Sequence, residues 1–245
     1  MATEPEVPLP GGAMTHGVVR VGDTVRRPQC ENAAFVHALL EHLEAVGFIE
    51  APRFFGVDDR GREILTFVEG WVPEDPDPSA WSEGQVVAAA KLLRRYHDAS
   101  ASAPGRANHE IVCHGDPTPG NLAWNAGIPT GLFDFDNAYP GERIDDVAYF
   151  GWLFVLNGHD SNGLGIDEQA RRLRLICDAY WFDRRTELLD AIVRRQTETA
   201  ALILETARRT DCKRTPAETE SAVVWVAEET AWLHRHAESL GRHLS

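Results

Sequence analysis

Residues 111–136 read IVCHGDPTPGNLAWNAGIPTGLFDFD, and the rest of the chain is organised around them. Ile111, Val112 and Cys113 lead into His114, Gly115 and Asp116. Asn121 follows five positions later, and a second apolar run leads to Asp134 and Asp136. From His114 to Asp136 the chain thus sets an acid, an amide and two more acids at the ends of short apolar runs. Carboxylates so placed are costly unless a cation or a donor satisfies them. Pro117 and Pro119 stiffen the loop, and Gly120 is expected to let the backbone turn before Asn121. Asn125, Ala126 and Gly127 mark a turn into the strand that ends at Asp134.

Phosphoryl transfer gives this arrangement a physical reason. One Asp accepts the proton of an attacking hydroxyl, while an Asn and another Asp hold the magnesium ions that neutralise the nucleotide phosphates. The protein-kinase catalytic loop has the pattern H-R-D-x-x-x-x-N, with a D-F-G Asp further on. His114, Asp116 and Asn121 fall on those offsets, and Asp134-Phe135-Asp136 stands where D-F-G would. Magnesium keeps most of its waters, so one amide and one or two carboxylates suffice.

At these residues the chain resembles the aminoglycoside phosphotransferase family and its choline kinase-like relatives, whose mark is H-G-D-x-x-x-x-N followed by a D-x-(D/E) strand end. Gly141 to Ala148, GERIDDVA, is similar to the family's G-D-P-x-x-D-L-A, with Asp146 in the place of its second acid. The resemblance implies an α+β, protein kinase-like two-lobed fold. Residues 1–70 would form a small β-rich nucleotide lobe ending in a hinge, and residues 71–245 a larger, mainly helical catalytic and acceptor lobe. It implies Asp116 as the catalytic base and Asn121, Asp134 and Asp136 around Mg2+, with Asp136 auxiliary. ATP or GTP would be the phosphate donor. Phe67 and Glu69 lie in the stretch similar to the hinge, where backbone groups would meet the base edge, so the nucleotide preference is not written in side chains.

The cationic partner of the phosphates departs from the family. A kinase lobe offers a strand lysine paired with a helix glutamate, yet no lysine precedes Lys91. Arg26 and Arg27 are the available cations, and strand alternation lets only one of them point inward. Arg27 is the expected one, with the solvated alternative open. Arginine grips phosphate oxygens with parallel bonds and is not interchangeable with lysine. Glu31, Glu41 and Glu44 are candidates for its acidic partner, and His37 shares their helix.

Other elements follow from periodicity. Residues 16–27 suggest two strands about a Gly22-Asp23 turn, preceded by Gly11, Gly12 and Gly17, which stand either for a phosphate-covering loop or for a flexible leader. Residues 32–46 suggest a helix with Phe35, Leu39, Leu43 and Val46 on one face, ended by Gly47. Two more strands are expected at 53–57 and 63–68. Ser82 to Gln85 is a capping box for a long helix to about Asp98, with His97 expected to brace the catalytic loop. His114 is expected to brace backbone too. A helix past Asp146, two helices in 167–209 meeting near Asp183, and a last one from Thr215-Pro216 complete the pattern. Tyr180, Trp181, Trp225 and Trp232 are expected in the core. Asp160, Asp178, Asp183 and Glu187 could serve an aminated acceptor, or lie on solvated helix faces.

Composition sets the limits. The 245 residues are 43% hydrophobic, with no run near the ~20 apolar residues a membrane span needs. The acidic, Pro-rich start lacks the regions of a signal peptide. Cys30, Cys113, Cys177 and Cys212 form no C-x-x-C pair. A soluble, cytoplasmic protein is expected, with no membrane partner. A net charge of −14 speaks against nucleic acid and suits a cationic small-molecule acceptor, or merely solubility. Nothing in the sequence speaks to oligomeric state. Two rival classes remain. One is a catalytically weak nucleotide-binding or immunity-type protein on the same fold. The other is a metallohydrolase built from His114, Asp116, Asp134 and His159, which lack any short ligand pair.

Overall fold

The structure is a computed structural model that describes residues 4–9, 17–74, 77–158, 161–208 and 214–244. Gly11, Gly12, His159 and Asp160 lie outside the described residues. The first part of the chain is an antiparallel sheet in the order β1-β2-β3-β5-β4. Its strands are β1 (Val7–Pro8), β2 (Val19–Val21), β3 (Thr24–Pro28), β4 (Phe54–Val57) and β5 (Arg62–Thr66). β2 and β3 close on the expected Gly22-Asp23 turn, with Val21 opposite Thr24. β1 was not foreseen, because two residues show no alternation.

Helix α1 (Ala33–Ala45) crosses between β3 and β4. It ends as expected, with Gly47 at a φ of 81°. Its buried face is centred on Val36, Leu39, Leu40 and Leu43, whereas Val46 is exposed and Phe35 only partly covered. The apolar stripe is therefore rotated from the expected one by about one residue. The chain leaves the sheet through Gly70 and pairs with a later strand, Trp71 and Trp124 exchanging two backbone hydrogen bonds of 2.8 Å. A Cβ on Gly70 would sit 2.9 Å from the Trp124 nitrogen, so this crossing requires glycine.

Helix α2 (Glu83–Ser100) opens with the expected capping box, Ser82 and Gln85 satisfying each other's backbone. It covers two short hairpin-like pairs: β6 (Ile111–Cys113) with β9 (Tyr139–Gly141), and β7 (Leu122–Asn125) with β8 (Ile128–Leu132). The β7–β8 turn is Ala126-Gly127, both with positive φ, which matches the twist of a two-residue hairpin. β9 was missed, since Tyr139-Pro140-Gly141 reads as a loop. Helices α3 (Arg143–Gly151), α4 (Ile166–Tyr180), α5 (Leu188–Thr206) and α6 (Pro216–Gly241) build the rest, and α3 runs on into a π turn over Trp152–Leu156. α6 has the expected Thr215 cap and N1 proline.

Tyr180 and Trp232 are in the core as expected, and Trp225 packs on Trp152. Trp181 is not: it is 80% exposed and ends α4 in the left-handed region, at a φ of 63°. Among the described residues no helix is long and apolar enough to cross a membrane.

Candidate active site

The loop from β6 to β7 is pinned by one buried carboxylate. Asp146, on the first turn of α3, accepts from the His114 N–H at 2.6 Å, the Gly115 N–H at 2.9 Å and His97 Nε2 at 2.9 Å. Burial alone would raise its pKa, but the hydrogen bonds and charge of His97 hold it below the usual carboxylate range. His97 in turn meets the Tyr180 hydroxyl at 2.5 Å. Its structural role is therefore the expected one. α2 also holds β6 directly, the hydroxyls of Tyr96 and Ser100 donating to the Val112 carbonyl.

Gly115 makes the turn, at a φ of 82°, and a Cβ there would lie 2.1 Å from the Asn137 carbonyl oxygen. Gly120 does not have this duty. It sits in a 3-10 turn, Pro119–Asn121, with its Cβ position clear to 3.8 Å, so the expected sharp turn belongs to the earlier glycine.

His114 braces backbone, as expected. Its Nε2 lies 3.0 Å from the Phe133 carbonyl and its Nδ1 accepts the Asp116 N–H at 3.3 Å. The proton is thus on Nε2, and burial lowers the pKa of the ring. Both nitrogens are used, which leaves neither for a metal. Among the described residues no three His, Cys, Asp or Glu side chains are grouped to hold a metal ion. His114 thus drops out of the hydrolase constellation, whose fourth member, His159, is undescribed.

Asp116, Asn121 and Asp134 come together. Asn121 Nδ2 donates to both the carbonyl and Oδ2 of Asp116, each at 2.9 Å, which leaves its Oδ1 as an acceptor. Asp134 stands just past β8 with a φ of 67°, rare for a residue with a side chain. Burial first, and the charge of Asp134 second, push Asp116 up from the usual 3.8 to about 6, against hydrogen bonds from Asn121 and Tyr149.

Strand alternation turns Arg27 inward, as expected, while Arg26 bonds its own strand at Thr24. Arg27 reaches the acids themselves. Its Nη1 donates to Asp134 Oδ1 at 3.0 Å and its Nη2 to Asp136 Oδ2. Its Nε lies 2.9 Å from Glu63 Oε1, an ion pair without hydrogen-bond alignment. Burial disfavours the guanidinium charge, but Asp136, Asp134 and Glu63 outweigh it and raise the pKa. The acidic partner behind Arg27 is therefore Glu63 on β5, not Glu31, Glu41 or Glu44. Glu63 is almost fully buried and is held by His37 Nε2 at 2.8 Å, with the His37 ring stacked on Phe54. The helix supplies an imidazole where a kinase would supply a carboxylate. Glu44 pairs with Arg53 at the surface.

At the expected hinge, the Phe67 N–H donates to the Asp23 carbonyl at 2.8 Å, and Arg20 lies over the Phe67 ring. The Glu69 carboxylate accepts from Arg20 Nη2 at 2.6 Å. These two residues are thus tied to β2 and its turn.

On the other flank stands a residue the sequence reading did not single out. Arg195 of α5 donates from Nη2 to the Gly115 carbonyl at 3.0 Å and pairs with Glu198, its guanidinium over the Tyr149 ring. The signal was available: Ala191, Ile192 and Gln196 mark the buried stripe of α5, and Arg195 lies at its edge. Of the carboxylates considered for an aminated acceptor, Asp178 is paired with Arg185 and Glu187 with Arg184, both at the surface.

A divalent ion is what this fold implies, and the donor set suits one. The Asn121 amide oxygen and two partly exposed acids are hard oxygen ligands. Arg27, Glu63, Asp134 and Asp136 together carry one positive and three negative formal charges, an excess that one dication would cancel.

A small antiparallel sheet with one helix, joined to a helical body whose loop carries H-G-D-x-x-x-x-N beside D-x-D, defines a protein kinase-like phosphotransferase fold. Solved structures agree. The GDP and kanamycin complex of APH(2")-IIia superposes with a TM-score of 0.66 at 15% identity, over 94% of each chain. A choline/ethanolamine kinase family protein from Mesorhizobium loti gives 0.67 at 16% identity, over 99% of this chain and 92% of that one. The amicoumacin kinase hAmiN, with AMP-PNP and Ca2+, gives 0.66 at 11% identity, over 92% and 88%. At such identities the likeness establishes the fold. Residues 103–180 match the model of the phosphotransferase enzyme family, APH. The trifolitoxin immunity protein of Rhizobium leguminosarum bv. trifolii is 32% identical over 259 residues, which cover 96% of this chain and 97% of that protein. The chain belongs to this phosphotransferase family.

Proposed function

We propose that the protein moves the γ-phosphate of ATP or GTP to a hydroxyl of a small polar molecule. Residues 1–70 would act as the nucleotide lobe and residues 71–245 as the catalytic and acceptor lobe. The observation that carries this reading is the convergence of Asp116, Asn121 and Asp134, with Asp116 held by Asn121 at 2.9 Å. Asp116 orients the acceptor hydroxyl and takes its proton on a carboxylate oxygen. The hydroxyl oxygen bonds to the γ-phosphorus, and the bond to the β–γ bridging oxygen breaks to release the nucleoside diphosphate. Asn121 keeps Asp116 oriented, and Tyr149 and Arg195 support the loop from the acceptor side. Asn121 and Asp134, with Asp136 auxiliary, would hold Mg2+, which supplies charge neutralisation at the phosphates. Arg27 is assigned to the phosphates, and the Phe67–Glu69 segment to the base through its backbone. Such catalysis is mostly positioning and electrostatics.

A second reading is favoured by one specific observation, the name of the 32%-identical relative. On that reading the chain is a catalytically weak, immunity-type protein that binds nucleotide without turnover. Incubation with γ-labelled ATP or GTP, Mg2+ and pools of aminated metabolites, antibiotics and peptides separates these cases. Label transferred to an acceptor supports the kinase. Calorimetric nucleotide binding with no transfer in any pool supports the binder.

A further inference from the structure

Both acids assigned to the metal are already held by a cation of the chain. Arg27 spans them with separate N–H groups, Nη1 on Asp134 and Nη2 on Asp136, while Glu63, itself held by His37, anchors it from behind. Its side chain is only 11% exposed, while Asp134 and Asp136 are 40% and 25% exposed, so the cation is buried and the acids remain open to an incoming ion. A lysine, a point charge without the planar fork, could not bridge the two acids in this manner. The bridge also crosses the molecule, from β3 in the sheet to the turn after β8.

We propose that Arg27 is the resident counter-cation of the Asp134–Asp136 pair and that a divalent ion enters by displacing it. Metal affinity is then low in the free protein and rises when nucleotide phosphates draw the guanidinium away. This rests on the assignment of Asp134 and Asp136 to the metal and of Arg27 to the phosphates. Phosphate oxygens and carboxylates compete for the same charge-assisted N–H donors, which makes the exchange chemically direct. Nucleotide and metal then bind with positive coupling, each raising the affinity of the other by one common factor. Glu63 keeps the guanidinium at hand, so the exchange needs a swing of the fork rather than a new partner for the whole side chain.

The test is Mn2+ binding to the full chain without nucleotide, read as free Mn2+ by electron paramagnetic resonance. Arg27→Met is expected to bind Mn2+ at least tenfold more tightly than the wild type, and Arg27→Met with Asp134→Asn is expected to lose that gain. Equal or weaker binding by Arg27→Met overturns the proposal, as does a gain that survives Asp134→Asn. If Arg27→Met does not fold, Arg27→Lys decides: a gain of threefold or more supports displacement, and none overturns it. In the wild type, AMP-PNP that binds without tightening Mn2+ beyond its own chelation of the ion, measured without protein, also overturns it. Failure of AMP-PNP to bind at all counts instead against the proposed function, and the nucleotide-free comparison still decides this one.

Discussion

Asp116 meets two opposed demands. As the proposed base it must be ionised, yet burial and the nearby charge of Asp134 raise its pKa to about 6. A carboxylate tuned towards neutral pH is a better proton acceptor than one at its ordinary value, which suits the proposed role. The acid limb of kcat/KM is therefore expected near pH 6, with activity falling as pH drops through that value. A limb at pH 4 or below would remove Asp116 from the role of base. The same shift has a sign for stability. The folded chain binds this proton more tightly than the unfolded chain, so Asp116 costs stability as pH rises from about 4 to 6. Asp116→Asn should accordingly be more stable than the wild type at pH 7, by about 3 kcal/mol, and no more stable at pH 4. A chemical-denaturation series at the two pH values measures this. A second residue-scale test concerns Gly115, where a Cβ would strike the Asn137 carbonyl. Gly115→Ala should be strongly destabilising in the same assay, whereas Gly120→Ala, with room for its Cβ, should lie within about 1 kcal/mol of the wild type.

Between elements, Asp146 joins α2, α3 and the loop after β6 through three donors. Removing its carboxylate strands two buried backbone N–H groups and the His97 ring, each costing about 1–3 kcal/mol. That sum exceeds what any single surface ion pair of this chain can return, since those are worth about 0–1 kcal/mol. Asp146→Ala is expected to lose several kcal/mol of stability in urea unfolding and to slow turnover although it touches no substrate. An Asp146→Ala protein with wild-type stability would show that the loop is held by other contacts. Much at this scale was legible in the sequence, because caps and turns are local chemistry: Ser82 and Thr215 open their helices, and Gly22-Asp23 closes its hairpin. β9 was not, since Tyr139-Pro140-Gly141 becomes a strand only by lying beside β6. The buried face of α1 differs from the expected one for a similar reason, as α2, the turn at Pro104–Arg106 and β4, all packed against it, decide which stripe is covered.

Across the whole molecule, the catalytic loop and its acids were legible because their spacing is fixed within one stretch of chain. The cation network was legible only in part. Alternation let only one of Arg26 and Arg27 point inward without choosing between them, and the partner Glu63 comes from a neighbouring strand, where the register of β3 against β5 places it opposite Arg27. Arg195 approaches the loop from a helix some eighty residues later in the chain, a distance no local pattern spans. Its charge lowers the Asp116 pKa, against burial and Asp134. The central claim is that Asp116 takes a proton from an alcohol during phosphoryl transfer. Its most direct test is the transfer rate of Asp116→Asn against wild type, with labelled nucleotide and Mg2+ saturating and an acceptor found in the pools. Loss of a base of this kind predicts a rate about 10²–10⁴-fold lower with nucleotide binding retained. A variant that transfers phosphate at the wild-type rate would contradict the account.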